Sequence, residues 1–365
     1  MDLQLDLLPM NAWLPHKTPA IIAGPCSAES EEQLLQTCLQ LKELKVDALR
    51  AGIWKPRTRP NNFEGHGKVA LPWVAAVKKE VKLPFTIEVA TPEHVELALK
   101  YGVDILWIGA RTTVNPFNVQ ALADALKGVD VPVMVKNPVN PDLALWLGAI
   151  ERIYNAGVTK LAAIHRGFSS LQESKYRNAP TWQIPIELKR LFPNMPLICD
   201  PSHITGKRDM IAMVSQKALD LNYDGLMIET HIDPDNAWSD AKQQVTPSML
   251  GNILANLKLR VASSDNAEFM NQLDELRKQI DGVDRELIEI LASRMALVEK
   301  IGEYKKENNI TIFQIDRWNE VFRTRPNWAD KMGLSQDLIA EIYKLIHVES
   351  IRTQTEVMSK QDQKA

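Results

Sequence analysis

Cysteine, aromatic residues and net charge are all scarce in this chain of 365 residues, which has three cysteines, 6% aromatics and a formal charge of −3 at pH 7. Three cysteines (Cys26, Cys38 and Cys199) are few and odd in number, which argues against a disulfide framework and for free thiols or a metal ligand. No apolar run approaches the roughly 18 residues a membrane span needs, so no membrane partner is expected. The stretch Met1–Pro15 lacks the basic flank and small-residue cleavage site of a signal peptide, and the expected location is the cytoplasm. Near-neutral charge gives no basic patch for nucleic acid. Any cluster of Arg and Lys must then serve something small and anionic.

Hydrophobic residues make up 45% of the chain and charged residues 24%, a soluble globular balance. An α/β barrel takes about 250 residues, which leaves room here for one large domain and one small one. Short Val- and Ile-rich runs recur at Ala20–Ala23, Ala48–Leu49, Phe85–Val89, Ile105–Ile108, Val131–Val135, Leu161–Ile164, Leu197–Ile198 and Gly225–Ile228. Apolar runs alternating with amphipathic segments mark parallel strands buried on both faces, and these runs predict a TIM (β/α)8 barrel. Around the ends of the runs stand Cys26, Arg50 with Lys55, Glu88, Arg111, Lys136, Arg166, Asp200 with His203, and Glu229. Barrels carry their sites at the C-terminal ends of their strands, so these residues are expected to assemble one site.

The small polar segment 261–268 reads as a linker between a barrel at 1–260 and an all-α domain at 269–365. Leu273, Leu276, Ile280, Val283, Leu287, Leu291, Leu297, Val298, Ile301 and Tyr304 recur at helical spacing, predicting a helix of about 40 residues. A helix so long cannot bury its own apolar face, so dimerisation is expected. Helix-like stretches at Asp316–Met332 and Ser335–Lys360 complete the module.

Gly24-Pro-Cys-Ser-Ala-Glu29, Arg50-Ala-Gly-Ile-Trp-Lys-Pro-Arg-Thr58, Ile108-Gly-Ala-Arg111, Cys199-Asp-Pro-Ser-His-Ile-Thr-Gly-Lys-Arg208 and Asp224-Gly-Leu-Met-Ile-Glu-Thr-His231 together resemble the type I DAHP synthases. The likeness is to the shorter subclass related to KDO8P synthase and runs from about Pro19 to Leu250. It implies four metal ligands: Cys26, His203, Glu229 and Asp240. One sulfur, one nitrogen and two oxygen donors suit one divalent transition metal (Mn, Fe, Co or Zn). The resemblance further implies that Arg50, Lys55, Arg111, Lys136 and Arg166 hold phosphoenolpyruvate. Arg57 with Thr58 would then receive erythrose 4-phosphate, while Lys55 and Glu88 handle protons and water. KDO8P synthase is the alternative, but it typically carries Lys-Ala-Asn-Arg-Ser where this chain has Lys55-Pro-Arg-Thr58.

Leu276-Arg-Lys-Gln-Ile-Asp-Gly-Val-Asp284, Leu291-Ala-Ser-Arg294, Lys305, Ile315-Asp-Arg317 and Glu349-Ser-Ile-Arg-Thr-Gln354 resemble the AroQ-type chorismate mutases. Helical geometry adds that Arg294 and Lys305 fall within about 20° of one face, while Arg277 points roughly 100° away. By resemblance Arg277 enters a partner's pocket in an obligatory dimer and, with Arg294, clamps the carboxylates of chorismate. Lys305 and Gln354 would face its ether oxygen, with Arg317 and Ser350 as further contacts. Trp318 stands where the family has the acid that holds the substrate hydroxyl, and Gln314 where another acid is common. That departure bears on hydroxyl binding and on turnover. The expected protein is thus a bifunctional enzyme with feedback coupling between its halves, working as a homodimer or larger. The alternative for the helical half is a non-catalytic sensor of chorismate or prephenate that dimerises the chain.

Overall fold

In the computed structural model, which describes residues 5–55, 63–170, 173–261 and 263–359, the buried apolar runs are parallel strands. They are β1 (Ala20–Gly24), β2 (Ala48–Ala51), β3 (Phe85–Val89), β4 (Ile105–Ile108), β5 (Val133–Lys136), β6 (Leu161–His165), β7 (Leu197–Cys199) and β8 (Gly225–Glu229). Each pairs with the next, and β8 pairs with β1 to close a barrel. Around it lie α1 (Glu31–Glu43), α2 (Leu71–Val81), α3 (Pro92–Lys100), α4 (Ala110–Thr113), α5 (Pro116–Leu126), α6 (Leu143–Asn155), α7 (Gln183–Leu191), α8 (Pro201–Thr205), α9 (Ile211–Asp220) and α10 (Pro247–Asn256). Several start on side-chain caps the sequence supplies: Ser30, Thr91, Asn115, Asp142 and Thr246 each accept a backbone N–H of the first turn.

Alternation along the strands sorts the core into two shells. Ala20, Ile22, Ile105, Trp107, Met134, Ile164, Ile198 and Met227 fill the barrel, and Met10 and Leu14 from the N-terminal segment join the same cluster. Leu106, Ile108, Val133, Val135 and Leu226 point outward into the larger layer between strands and helices, with Trp146 and Ile150.

Several strands run further than their apolar runs. Arg50, Lys136 and Glu229 belong to strands rather than to the loops after them. The parallel ladder continues through Ala51↔Ile87 and Lys136↔Ile164 whatever the side chain, because backbone pairing ignores polarity. At the other end β5 starts at Val133 and not at Val131, while Pro132 offers its carbonyl to Leu106.

The chain divides into two compact units, Met1–Ala262 and Ser263–Ala365. The second holds α11 (Ala267–Glu307), α12 (Ile315–Lys331) and α13 (Gln336–Ser359). At 41 residues α11 is some 60 Å long, capped by Asn266, which accepts from Phe269 N. Helix α13 packs against both α11 and α12. Gly302 allows the closest approach, since a Cβ there would meet the Gln354 backbone at 3.3 Å. Leu276, Ile280, Val283 and Leu287, toward the N-terminal end of α11, stay exposed. No helix among the described residues is long and apolar enough to cross a membrane.

Gly24 ends β1 at φ +151°, and a Cβ there would lie 2.0 Å from the Arg50 carbonyl oxygen. Gly24→Ala therefore strains the backbone and pries β1 from β2. The expected loss is about 1–3 kcal/mol, read as a lower urea midpoint for the barrel transition.

Candidate functional site

The β1–β8 register sets Gly24 opposite Glu229, so Cys26, two residues on, lies beside the end of β8. Its thiol meets a carboxylate of the following loop, with Sγ 3.3 Å from Asp240 Oδ2. Ligating atoms of Cys26, Glu229 and Asp240 all lie within 4.8 Å of one another. His203 stands just outside this group of three: its Nε2 is 3.7 Å from Glu229 Oε1, and its Nδ1 is 2.8 Å from Asp200 Oδ2. That Nδ1 makes no well-aligned hydrogen bond among the described residues. Sulfur, two carboxylates and an imbalance of nearby donors fit a divalent transition ion, with His203 able to add Nε2.

Electrostatics bear on that fit. Burial pushes the Cys26 thiol up to about 12, and Glu229 adds to the rise against the opposing charge of Lys55. A bound cation would supply what the thiolate otherwise lacks. Burial alone would raise the Asp240 carboxyl, but His203 and the Arg177 guanidinium outweigh it and hold it well below the carboxylate range. Glu229 is likewise lowered, with His203 and Arg50 overcoming its burial. Burial lowers His203, against the opposing charges of Asp200 and Glu229.

Around this centre stand the cations. Lys55 Nζ lies 2.7 Å from Cys26 Sγ, and Arg50 NH2 donates to Glu229 Oε1 at 3.1 Å. Lys136 Nζ donates to Asp200 Oδ2 at 2.8 Å. Arg50 and Lys136 both lie over the Trp107 ring, at 5.0 and 5.7 Å, and Trp107 Nε1 donates to Glu88 Oε2 at 3.0 Å. Gly109 exists for that carboxylate, since a Cβ there would sit 2.0 Å from Glu88 Oε1. Two of the five expected cations, Arg50 and Lys136, thus have carboxylate partners, so the group as a whole is not uncompensated. Their pairing is incomplete in one respect: Nε and NH1 of buried Arg50 have no partner among the described residues.

Arg166 is the more telling case. Burial brings its guanidinium down to about 10, and the nearby Arg177 and Arg111 charges oppose it while Asp200 and Glu88 support it. Among the described residues its NH1 reaches the Gly167 carbonyl alone, at 3.5 Å. A buried cation so placed calls for an anion. Arg57 and Thr58 lie outside the described residues.

Three residues here carried no signal in the sequence. Arg177 NH1 donates to Asp240 Oδ1 at 2.9 Å and to Gln243 Oε1 at 2.6 Å, while Gln243 Nε2 donates to Glu229 Oε2 at 2.6 Å. Gln244 Oε1 accepts from Cys26 N at 2.8 Å. All three stand in loops without periodicity.

In the helical unit, Arg294, Lys305, Arg317, Ser350 and Gln354 line one cavity of about 430 Å³. Arg294 NH1 donates to Ser350 Oγ at 3.0 Å, and Lys305 Nζ donates to the Ile312 carbonyl at 2.5 Å. Burial lowers both cations. Gln354 is buried and its Oε1 has no partner among the described residues. Arg277 stays outside the cavity, exposed and paired with Asp274 at 3.3 Å. Two lining residues went unnoticed in the sequence: Arg325, 4.4 Å over the Trp328 ring, and His347, whose ring centroid is 3.6 Å from that of Trp318. Trp318 therefore packs against His347, the rings tilted at 59°, where an acid was expected.

Comparison with known proteins agrees with both halves. Residues 16–261 match the DAHP synthetase I family, and residues 276–355 match the type II chorismate mutases. A phospho-2-dehydro-3-deoxyheptonate aldolase from Thermotoga maritima is 31% identical over 238 residues, 65% of this chain and 68% of that protein. The T-protein of Haemophilus influenzae is 37% identical over 82 residues, 22% of each chain. A 2-dehydro-3-deoxyphosphooctonate aldolase from Desulfotalea psychrophila is 28% identical over 264 residues, 66% of this chain and 90% of that one. Among solved structures, a DAHP synthase from Thermotoga maritima superposes with a TM-score of 0.59 at 27% identity, covering 69% of this chain and 75% of its own. The chain is a TIM-barrel transferase with an isomerase domain attached. It belongs to the DAHP synthetase I family, carries a chorismate mutase domain, and is a bifunctional enzyme of the shikimate pathway.

Arg166→Met removes a buried, poorly paired charge. The ligand-free variant should melt at or above the wild-type temperature. Added phosphoenolpyruvate should raise the melting temperature of the wild type and leave the variant unchanged. A drop in the ligand-free melting temperature would show that the guanidinium is already satisfied.

Proposed function

We propose that the barrel joins phosphoenolpyruvate to erythrose 4-phosphate, yielding 3-deoxy-D-arabino-heptulosonate 7-phosphate and phosphate. The observation that carries this is the Cys26, Glu229 and Asp240 cluster set beside the under-paired guanidiniums of Arg50 and Arg166. Those five residues, with Lys55, Arg111, Lys136 and His203, divide the work between an electrophile site and an anion site. Cys26, His203, Glu229 and Asp240 would hold one divalent transition metal, whose chemistry when bound is Lewis-acid polarisation of the aldehyde carbonyl. Arg50, Arg111, Lys136 and Arg166 bind the phosphate and carboxylate, Arg by planar pairing and Lys as a point charge. C3 of phosphoenolpyruvate then bonds to the aldehyde carbon, water adds at C2, and the C2–O bond to phosphate breaks to leave a ketone. Lys55 and Glu88 hold the water and move the protons. Arg57 and Thr58 receive the phosphate of the aldose. The barrel occupies residues 1–260, the linker 261–268 and the mutase domain 269–365.

For the helical domain the proposal is rearrangement of chorismate to prephenate. Arg294 and Arg317, with Arg277 from a partner chain, clamp the dicarboxylate, Ser350 adds a hydroxyl, and Lys305 and Gln354 stabilise charge on the breaking ether bond. The exposed face Leu276, Ile280, Val283 and Leu287 supports a homodimer built through α11. The packing of Trp318 against His347 favours one second reading, a domain that binds the ligand and signals to the barrel without turning it over.

Treatment with EDTA should abolish consumption of phosphoenolpyruvate with erythrose 4-phosphate, and Mn²⁺ or Co²⁺ should restore it, with arabinose 5-phosphate a poor substitute. Full activity in metal-free protein, checked by elemental analysis, would refute the assignment. In a separate assay Arg294→Ala should cut chorismate mutase kcat/KM at least tenfold, since a charge-assisted contact contributes about 1.5–3 kcal/mol. Synthase turnover should persist. Wild-type protein that binds chorismate without converting it would select the second reading.

A further inference from the structure

Arg177 has no place in the chemistry above, yet it reaches across the mouth of the barrel to the loop after β8. It lies between β6 and α7, and its backbone is tied to the segment after β7. Arg177 N donates to the Thr205 carbonyl at 3.3 Å, Asn178 N to Ile204 at 3.1 Å, and Asn178 Nδ2 to the His203 carbonyl at 2.6 Å. Gly206, at φ +65°, closes α8 against it, and a Cβ on that glycine would lie 2.6 Å from Arg177 Cβ. From this anchored backbone the guanidinium extends to the loop after β8, where NH1 bridges Asp240 Oδ1 at 2.9 Å and Gln243 Oε1 at 2.6 Å.

The consequence lies in how the two oxygens of Asp240 are turned. Oδ1 is taken by Arg177, and Oδ2 is the atom 3.3 Å from the Cys26 sulfur. Asp240 also sits in the left-handed region at φ +47°, a conformation that its surroundings must maintain. Through Gln243 the same guanidinium is linked to Glu229, whose Oε2 accepts from Gln243 Nε2 at 2.6 Å. Two carboxylates of the cluster are therefore oriented by one network that ends on Arg177. Its side chain is 47% exposed, so the ion pair contributes little to folding, and orientation is the larger effect.

We propose that Arg177 is a positioning residue for the metal site, presenting Oδ2 of Asp240 to the ion and, through Gln243, fixing the rotamer of Glu229. The proposal rests on the reading that Cys26, Glu229 and Asp240 hold a metal. It is tested in the full-length protein with Co²⁺ alone as the probe. The dissociation constant is measured by competition with a chromophoric chelator, and the thiolate-to-cobalt absorption reports Cys26 ligation. Arg177→Gln should bind Co²⁺ roughly 10–100-fold more weakly, the usual cost of losing a partner that orients a ligand, while the thiolate band still forms at saturation. Arg177→Lys keeps the charge and one donor, so it should fall between the two, and it serves as the test should the glutamine variant fail to fold. A wild-type dissociation constant in Arg177→Lys and Arg177→Gln, with or without a raised KM for the aldose phosphate, would overturn the proposal. A wild-type protein showing no thiolate band would instead overturn the metal reading beneath it.

Discussion

Closure of the barrel between β1 and β8 is the constraint on which the synthase site depends. The ladder from Ala20↔Gly225 to Gly24↔Glu229 joins the two ends of the sheet, and with it the chain's first reactive residue and its last. Cys26 and Glu229 become neighbours only because this seam exists. Asp240 follows because Val245 N returns to the Glu229 carbonyl and folds the loop over the end of β8. Loss of register here by one residue would turn Glu229 away from the barrel mouth, since side chains alternate along a strand.

A buried cluster of charges of both signs also has to be held together. Arg50, Lys55 and Arg177 each reach a member of the sulfur–carboxylate group, and Lys136 reaches Asp200 beside His203. This keeps the carboxylates ionised in spite of burial, the state in which they could hold a cation. Arg166 is the member without a carboxylate hydrogen bond among the described residues.

The helical unit solves a different problem. A pericyclic rearrangement needs no nucleophile, only cations and donors held in a fixed array, and packing of α11 on α13 places Arg294 against Ser350 and Gly302 against Gln354. One side of α11 supplies that array, and the exposed apolar residues toward its other end have no counterpart in the same chain.

Much of this could be read in the residues themselves. Period-two and period-3.6 patterns are local, so the eight strands, the long helix and the polar residues at strand ends were visible without a structure, as was the Arg294 and Lys305 face. The set of metal ligands was implied by the family resemblance, and the structure draws three of them, Cys26, Glu229 and Asp240, together. What local pattern could not carry was the partner of each charge. Arg50 with Glu229 and Lys136 with Asp200 join different strand ends, and Arg177 with Asp240 and Gln243 joins two loops, so each pairing links segments far apart in the chain. The packing of Trp318 against His347 belongs to the same class, because two helices must meet before these rings can touch. Residue type and spacing determined which chemistry was present; only closure of the barrel and packing of the helices decided which groups neutralise one another, because that depends on distance through space and not along the chain.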